Sequence, residues 1–332
     1  MATLSQNFEL PVALPDDQRV CDVGDRALLS LLQALDRRGY QFVTPTPATH
    51  ARVVARPSRG IARSLTDVFG WSLPFTGELL DDELSSSLRA AGGIELLPDR
   101  RMRSRFRISS LHGRLYLHSA FPTDSEDAVF LGPDSYRFAD LIESELARDP
   151  PAAGARLVDI GAGAGVGAIV AAGLHPDIDV TMTDINDQAL RLARINAQAA
   201  GIDADVSLGA ALDKVEGRFD IILINPPFII DPHERDYRNG GGMHGGALAL
   251  ELARAALQRL RLAGRLIFYT GSAIIDGDDA LRIALASLAA HAGFTIRYRE
   301  VDPDIFGEEL DAPAYAEVDR IAAVAAIVTR GG

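Results

Sequence analysis

The segment FDIILINPPF (219–228) places an unusual chemical group at the end of an apolar run. Phe219, Ile221, Ile222, Leu223 and Ile224 suit a strand buried on both faces of a parallel sheet. Asn225-Pro226-Pro227-Phe228 stops that strand, because proline lacks the N–H that a central ladder needs. The carboxyl ends of such strands are where open α/β sheets hold their ligands. At that point the Asn225 side-chain oxygen and the Pro226 carbonyl can accept both N–H bonds of one planar NH₂ group, whether amide, guanidine or aromatic amine. A nitrogen of this kind delocalises its lone pair and is a weak nucleophile. Two acceptors would turn the lone pair toward an electrophile, and Phe228 would stack on the plane. Pro226 and Pro227 make the loop rigid, so the geometry is pre-set. Positioning alone can supply up to roughly 7–11 kcal/mol of a barrier.

A glycine loop, DIGAGAGVG (159–167), lies earlier, between an apolar run and a helical pattern. Gly161 permits a tight turn, and Gly163 and Gly165 would let a ligand approach the backbone. Read from Gly161, the dinucleotide pattern G-x-G-x-x-G fails at Val166; read from Gly163, G-x-G-x-x-A remains open. Asp159 decides between the two. A carboxylate just before the loop repels a pyrophosphate but suits an ammonium or sulfonium, which points to S-adenosylmethionine. Asp184 follows about 20 residues on and can accept both hydroxyls of a ribose, unless it only caps the next helix. Ile185 and Asn186 lie where the adenine edge would come, and Asn186 or Asp187 can cap that helix instead.

Glycine loop, acid and Asn-Pro-Pro-Phe together resemble the class I S-adenosylmethionine-dependent N-methyltransferases. Over about residues 126–332 the chain is most similar to the HemK-type glutamine N5-methyltransferases and the small-domain enzymes that methylate ribosomal RNA amino groups. The resemblance implies that Asp159, Gly161, Gly163 and Gly165 hold the methionine part, Asp184 the ribose, and Asn225 to Phe228 the target nitrogen, with Asn225 also bordering the cofactor. It also implies that Pro133, Asp134 and Ser135, in FLGPDSYRFADLI, open a helix bordering the cofactor, where they and Tyr136 are candidates to line the substrate pocket. The family often places an acid after the third strand, against the adenine amino group. Ala210 stands there in this chain, so backbone or another side chain must serve. Residues 1–125 do not resemble the small helical bundle of the glutamine enzymes.

From about residue 126, strand and helix patterns alternate: ARLVDI, the helix from Gly165 to Gly173, IDVTMTD, NDQALRLARINAQAAG, DVSLG, FDIILI, GALALELARAALQRLRLAG, RLIFYTG, ALRIALASLAAHAG, FTIRYREV and RIAAVAAIVT. This predicts a Rossmann-like, seven-stranded, mostly parallel sheet with helices on both faces. The last two strands are joined by an irregular stretch (302–319) and are expected to pair antiparallel at one edge. Residues 1–125 predict a smaller α+β domain, winged-helix-like, for substrate recognition or dimerisation: helices first, then strands over 94–119 with His112-Gly113 as a hairpin turn.

The 332 residues are 47% hydrophobic and carry a net charge of −13, which disfavours a nucleic-acid partner and suits a small-molecule or protein side-chain substrate. Cys21 is the single cysteine, which excludes an internal disulfide and a cysteine zinc site. With no apolar run of membrane-spanning length and no leader pattern, a cytoplasmic enzyme is expected, with a homodimer as one arrangement of the N-terminal part. Arg101, Arg103, Arg105 and Arg107 would share one face of a strand, as a phosphate-tracking stripe or a solvated face. His233, Glu234 and Asp236 look like metal ligands, but methyl transfer needs no metal, and none is expected. His112, His118 and His244 read as turn, strand and loop residues. Tyr237, Arg238 and Tyr315 are candidates to line the acceptor site. The sequence therefore predicts methyl transfer to a guanidine or amide nitrogen, free or in a protein. An exocyclic amino group of ribosomal RNA, and a non-catalytic or NAD-binding Rossmann protein, are the alternatives.

Overall fold

A computed structural model of the chain describes residues 22–123, 125–230 and 239–332. Four helices come first: α1 (Val23–Arg37), α2 (Pro47–Val54), α3 (Leu65–Phe69) and α4 (Asp82–Ala90). Two hairpins follow, β1 (Ile94–Leu96) with β2 (Met102–Ser104), and β3 (Phe106–Leu111) with β4 (Arg114–Ser119). His112 and Gly113 turn the second hairpin, both with positive φ, as a two-residue loop of that twist requires.

The remainder alternates: α5 (Pro133–Arg148), β5 (Arg156–Ile160), α6 (Val166–Leu174), β6 (Asp179–Asp184), α7 (Asp187–Ala199), β7 (Asp205–Leu208), β8 (Phe219–Ile224), α8 (Ala247–Gln258), β9 (Leu260–Ile275), the two-residue β10 (Asp278–Asp279), α9 (Ala280–His291), β11 (Phe294–Asp302) and β12 (Arg320–Arg330). The sheet runs β11-β12-β9-β8-β5-β6-β7, with β10 folded back on β9. Strands β9, β8, β5, β6 and β7 are parallel, whereas β12 is antiparallel to both its neighbours. The antiparallel strand is thus inserted second from the edge, and β11 resumes the direction of the parallel set. The sheet is Rossmann-like and mostly parallel, preceded by an N-terminal α+β region, as the strand and helix pattern predicts.

Strand residues alternate between two cores. Leu157, Ile221 and Leu223 face α6, α7 and the N-terminal region; Val158, Ile222 and Ile224 face the side of α8 and α9. The first core continues without a break from the sheet into Leu28, Leu32, Phe69 and Leu117, across the division expected at residue 125. One polar side chain ties the parts together. The buried Asn196 of α7 accepts from Leu117 N (2.8 Å) and donates to Leu117 O (3.0 Å) and to Ala164 O (2.9 Å). It therefore pins β4 of the N-terminal region to the glycine loop.

Two expectations are corrected. The helix predicted to reach Gly264 ends at Gln258, and β9 begins at Leu260. Arg259 ends it: its carbonyl accepts from Phe219 N (2.9 Å), and its guanidinium donates to the carbonyls of Gly217 (2.6 Å), Leu212 and Val215. The chain is thereby drawn onto β8 before the helical pattern runs out. The arginine stripe is not a stripe either. The strand breaks at Arg105, whose N–H goes to Gly93 O. Arg107 is buried, donating to Gly70 O (2.7 Å) and meeting His50 Nδ1 (2.6 Å), with burial lowering its pKa to about 10. Arg101 and Arg103 pair with Asp99 and Glu95.

Removing the Asn196 amide would leave buried backbone groups without partners. Asn196→Leu is expected to cost about 2–4 kcal/mol in urea unfolding. A loss below about 1 kcal/mol would show that the joint contributes little.

Candidate functional site

The carboxyl ends of β5, β6 and β8 open onto a cavity of about 400 Å³. Its lining includes Asp134, Ser135, Asp159, Gly161, Gly163, Asp184, Ile185, Asn186, Ala210 and Asn225 to Phe228, so the structure brings most of the predicted residues to one place. Pro47 and Thr123 reach the same cavity from the N-terminal region.

The glycine loop is shaped by left-handed backbone at Gly161 (φ 68°), Gly163 (φ 56°) and Gly165 (φ 80°). At the first two, nothing lies within 4 Å of where a Cβ would stand, so the loop presents bare backbone. Gly165 does different work from that expected: it does not line the cavity, and a Cβ there would meet Ala193, Ile169 and Met182 at 3.2 Å. Its place is the close packing of α6 on β6 and α7. Asp184 fastens the loop, accepting from Gly163 N (2.9 Å) and Asn186 N (2.9 Å). Asp184 also lines the cavity. Asn186, not Asp184, caps α7; its Oδ1 accepts from Gln188 and Ala189, and its Nδ2 donates to Asp127 O. Asn186 nevertheless lines the cavity beside Ile185. Ile185, 54% exposed and on the lining, offers an apolar surface there.

Asp159 is 2% exposed. One oxygen accepts from Ala168 N in the first turn of α6 (2.9 Å); the other has no protein partner among the described residues. Burial pushes the acid up to about 7, against the Ala168 N–H, with the nearby Asp184 charge adding to the rise. Gly167 makes room for it, since a Cβ there would lie 2.7 Å from its Oδ2. A buried acid short of a cation, bare backbone beside it, a second carboxylate and an apolar flank fit the ammonium, ribose and adenine of S-adenosylmethionine.

At the end of β8 the Asn225 side chain and the Pro226 carbonyl have no hydrogen-bond partner among the described residues, and both residues line the cavity. Phe228 is 8% exposed, held by three close approaches. A Cβ at Gly271 would come 2.2 Å from its ring, a Cβ at Gly245 would come 2.0 Å from its carbonyl oxygen, and the Phe306 ring makes a T-shaped contact with it at 5.4 Å between centroids. Further along, Tyr315 Oη accepts from Ile230 N (2.8 Å). Tyr315 is thus buried behind the loop and braces it; it does not line the acceptor site as expected. Tyr136 also turns elsewhere, accepting from Thr44 N (3.0 Å), and Pro133 is the first residue of α5, off the lining. Asp134 is buried on the lining, its acid raised by burial and held by the Tyr269 hydroxyl (2.7 Å). Ser135 Oγ accepts from Gly132 N at the helix start. Tyr237, Arg238, His233, Glu234 and Asp236 lie outside the described residues. The sequence gives no sign of Gly271 or Phe306 at the site, and Gly167 and Gly245 stand out in it as loop glycines rather than as packing positions.

Residues 139–274 match the family model described as methyltransferase small domain. Release factor glutamine methyltransferase of Deinococcus radiodurans is 27% identical over 293 residues, 85% of this chain and 96% of that protein. Ribosomal RNA small subunit methyltransferase C of Serratia proteamaculans is 35% identical over 112 residues, 33% of this chain and only 29% of that protein. Among solved structures, Trm5b from Pyrococcus abyssi is 15% identical, with a TM-score of 0.48 over 75% of this chain and 68% of that one. Sheet order, glycine loop and cavity define a class I, S-adenosylmethionine-dependent methyltransferase. Within that class the chain is an N-methyltransferase resembling the HemK-type and small-domain enzymes. No helix among the described residues is long and apolar enough to cross a membrane.

The Asp159 environment sets a pH dependence. Below about pH 7 the acid is protonated, and an ammonium can pair with it only by expelling that proton. Affinity for S-adenosylhomocysteine is therefore expected to rise with pH up to about 7, by up to about tenfold per unit, with a proton released on binding. Calorimetry between pH 5.5 and 8 checks this, and Asp159→Asn should flatten the slope. A pH-independent affinity in the native protein would remove Asp159 from the ammonium.

Proposed function

We propose that this enzyme methylates the side-chain amide nitrogen of a glutamine held in a protein. The observation that carries the reading is the composition of the cavity. It pairs two vacant acceptors, at Asn225 and Pro226, with an apolar wall and three carboxylates, Asp134, Asp159 and Asp184, and among the described residues no lysine or arginine lines it. Such a lining admits a neutral or cationic planar nitrogen and opposes the phosphates that surround an RNA base. The relative that spans nearly its whole length with this chain acts on a glutamine, which favours the amide over a guanidine.

S-adenosylmethionine supplies the electrophilic methyl. Asp159 would take its ammonium, Gly161 and Gly163 its methionine backbone, Asp184 the ribose hydroxyls, and Ile185 with the chain at Ala210 the adenine. Asn225 Oδ1 would accept one N–H of the target amide and the Pro226 carbonyl the other, directing the nitrogen lone pair into the cavity. Methylation makes the nitrogen strongly acidic, so its surplus proton leaves without a strong base. Residues 1–125 would contribute acceptor recognition through Pro47 and Thr123.

The test is the fate of methyl label from S-adenosylmethionine in a bacterial extract. Protein is expected to carry it, and acid hydrolysis of that protein should release labelled methylamine, because a methylated amide hydrolyses at its C–N bond. Label that stays on an arginine after hydrolysis would reject the amide in favour of the guanidine. Label in ribonuclease-sensitive material would reject both.

A further inference from the structure

Phe306 lies in the connection between β11 and β12, remote in sequence from every motif above. Its backbone is left-handed (φ 54°, ψ 38°), a conformation that a bulky side chain adopts only at a cost. Both flanks hold it there. Ile305 is buried and donates its N–H to Ile321 O (2.8 Å), while the Glu309 N–H closes onto Phe306 O (2.9 Å). Strain enforced from both sides indicates that the direction of the ring matters. That direction is into the cavity, where the ring meets Phe228 edge to face, with the planes at 71°.

Phe228 has little surface left to offer. It is 8% exposed, its ring rests on Gly271, and Phe306 covers part of what remains. Phe306 is the more exposed of the two. From this geometry we propose that Phe306 is the aromatic surface the acceptor's planar group meets, and that Phe228 is the positioning residue behind it. Phe306 is then a specificity-determining residue. The electron-rich face of its ring attracts the partly positive edge of an amide NH₂, or a guanidinium, and gives nothing to a phosphate.

The inference rests on the glutamine reading, and the test separates the two. Full-length wild type, Phe306→Asn and Phe306→Tyr are compared for methyl transfer to total bacterial protein, supplied over a range of concentrations. Asn keeps the left-handed backbone and removes the ring. The expected result for Phe306→Asn is an apparent KM raised about tenfold, with Phe306→Tyr close to wild type. Affinity for S-adenosylhomocysteine should stay within about twofold of wild type in both variants. If wild type labels protein and Phe306→Asn has an unchanged KM, or loses S-adenosylhomocysteine affinity in step with rate, the role of Phe306 is overturned and the glutamine reading stands. If wild type labels only RNA, both fall.

Discussion

The site depends on how tightly the chain is packed around Phe228. The ring sits where a Cβ at Gly271 would intrude, and its carbonyl oxygen lies against Gly245. Tyr315 holds Ile230 two residues on. These contacts leave the end of β8 one course, and Asn225 and Pro226 inherit it. An amide oxygen and a backbone carbonyl have little catalytic power of their own; their value lies in being already in place, so that little ordering remains when an acceptor arrives. The loop is pre-set by proline from within and by glycine from outside.

The cofactor side follows the same logic with charge in place of packing. Asp159 is buried so deeply that it resists ionising until near neutrality, and its nearest donor is a single backbone N–H. A cationic ligand relieves that burial cost, which makes the carboxylate a selector for an ammonium over a pyrophosphate. Asp184 serves twice, fastening the glycine loop through Gly163 and facing the cavity. The Asn196 amide carries this arrangement into the N-terminal region, since Ala164 of the loop and Leu117 of β4 share it. Acceptor recognition by residues 1–125 would therefore act on a surface continuous with the cofactor loop.

Much of the fold was legible because its signals are local. Apolar runs bounded by glycine gave the strands, and a proline pair after a strand can only end it. Asp159, Asp184 and Asn225 were legible for the same reason: each ends or adjoins a strand, and the sheet topology gathers strand ends. What the sequence hid arises from contacts between distant segments. Gly271 matters only because Phe228 lies on it. The leucines around 257–262 continue a helical pattern, yet Arg259 bonds to carbonyls more than forty residues earlier and ends the helix. Alternation over 101–107 suggested one basic face, but a break at Arg105 sends Arg107 inward. Tyr136 and Tyr315 read as pocket residues, and tertiary hydrogen bonds made both of them braces.

In the proposed reaction Asn225 acts on the acceptor and not on the cofactor. Asn225→Ala tests it directly, by methyl transfer to protein together with calorimetry of S-adenosylhomocysteine. Turnover is expected to fall at least about a hundredfold while affinity for S-adenosylhomocysteine stays within about threefold. Turnover near wild type, or an affinity loss as large as the rate loss, would contradict it.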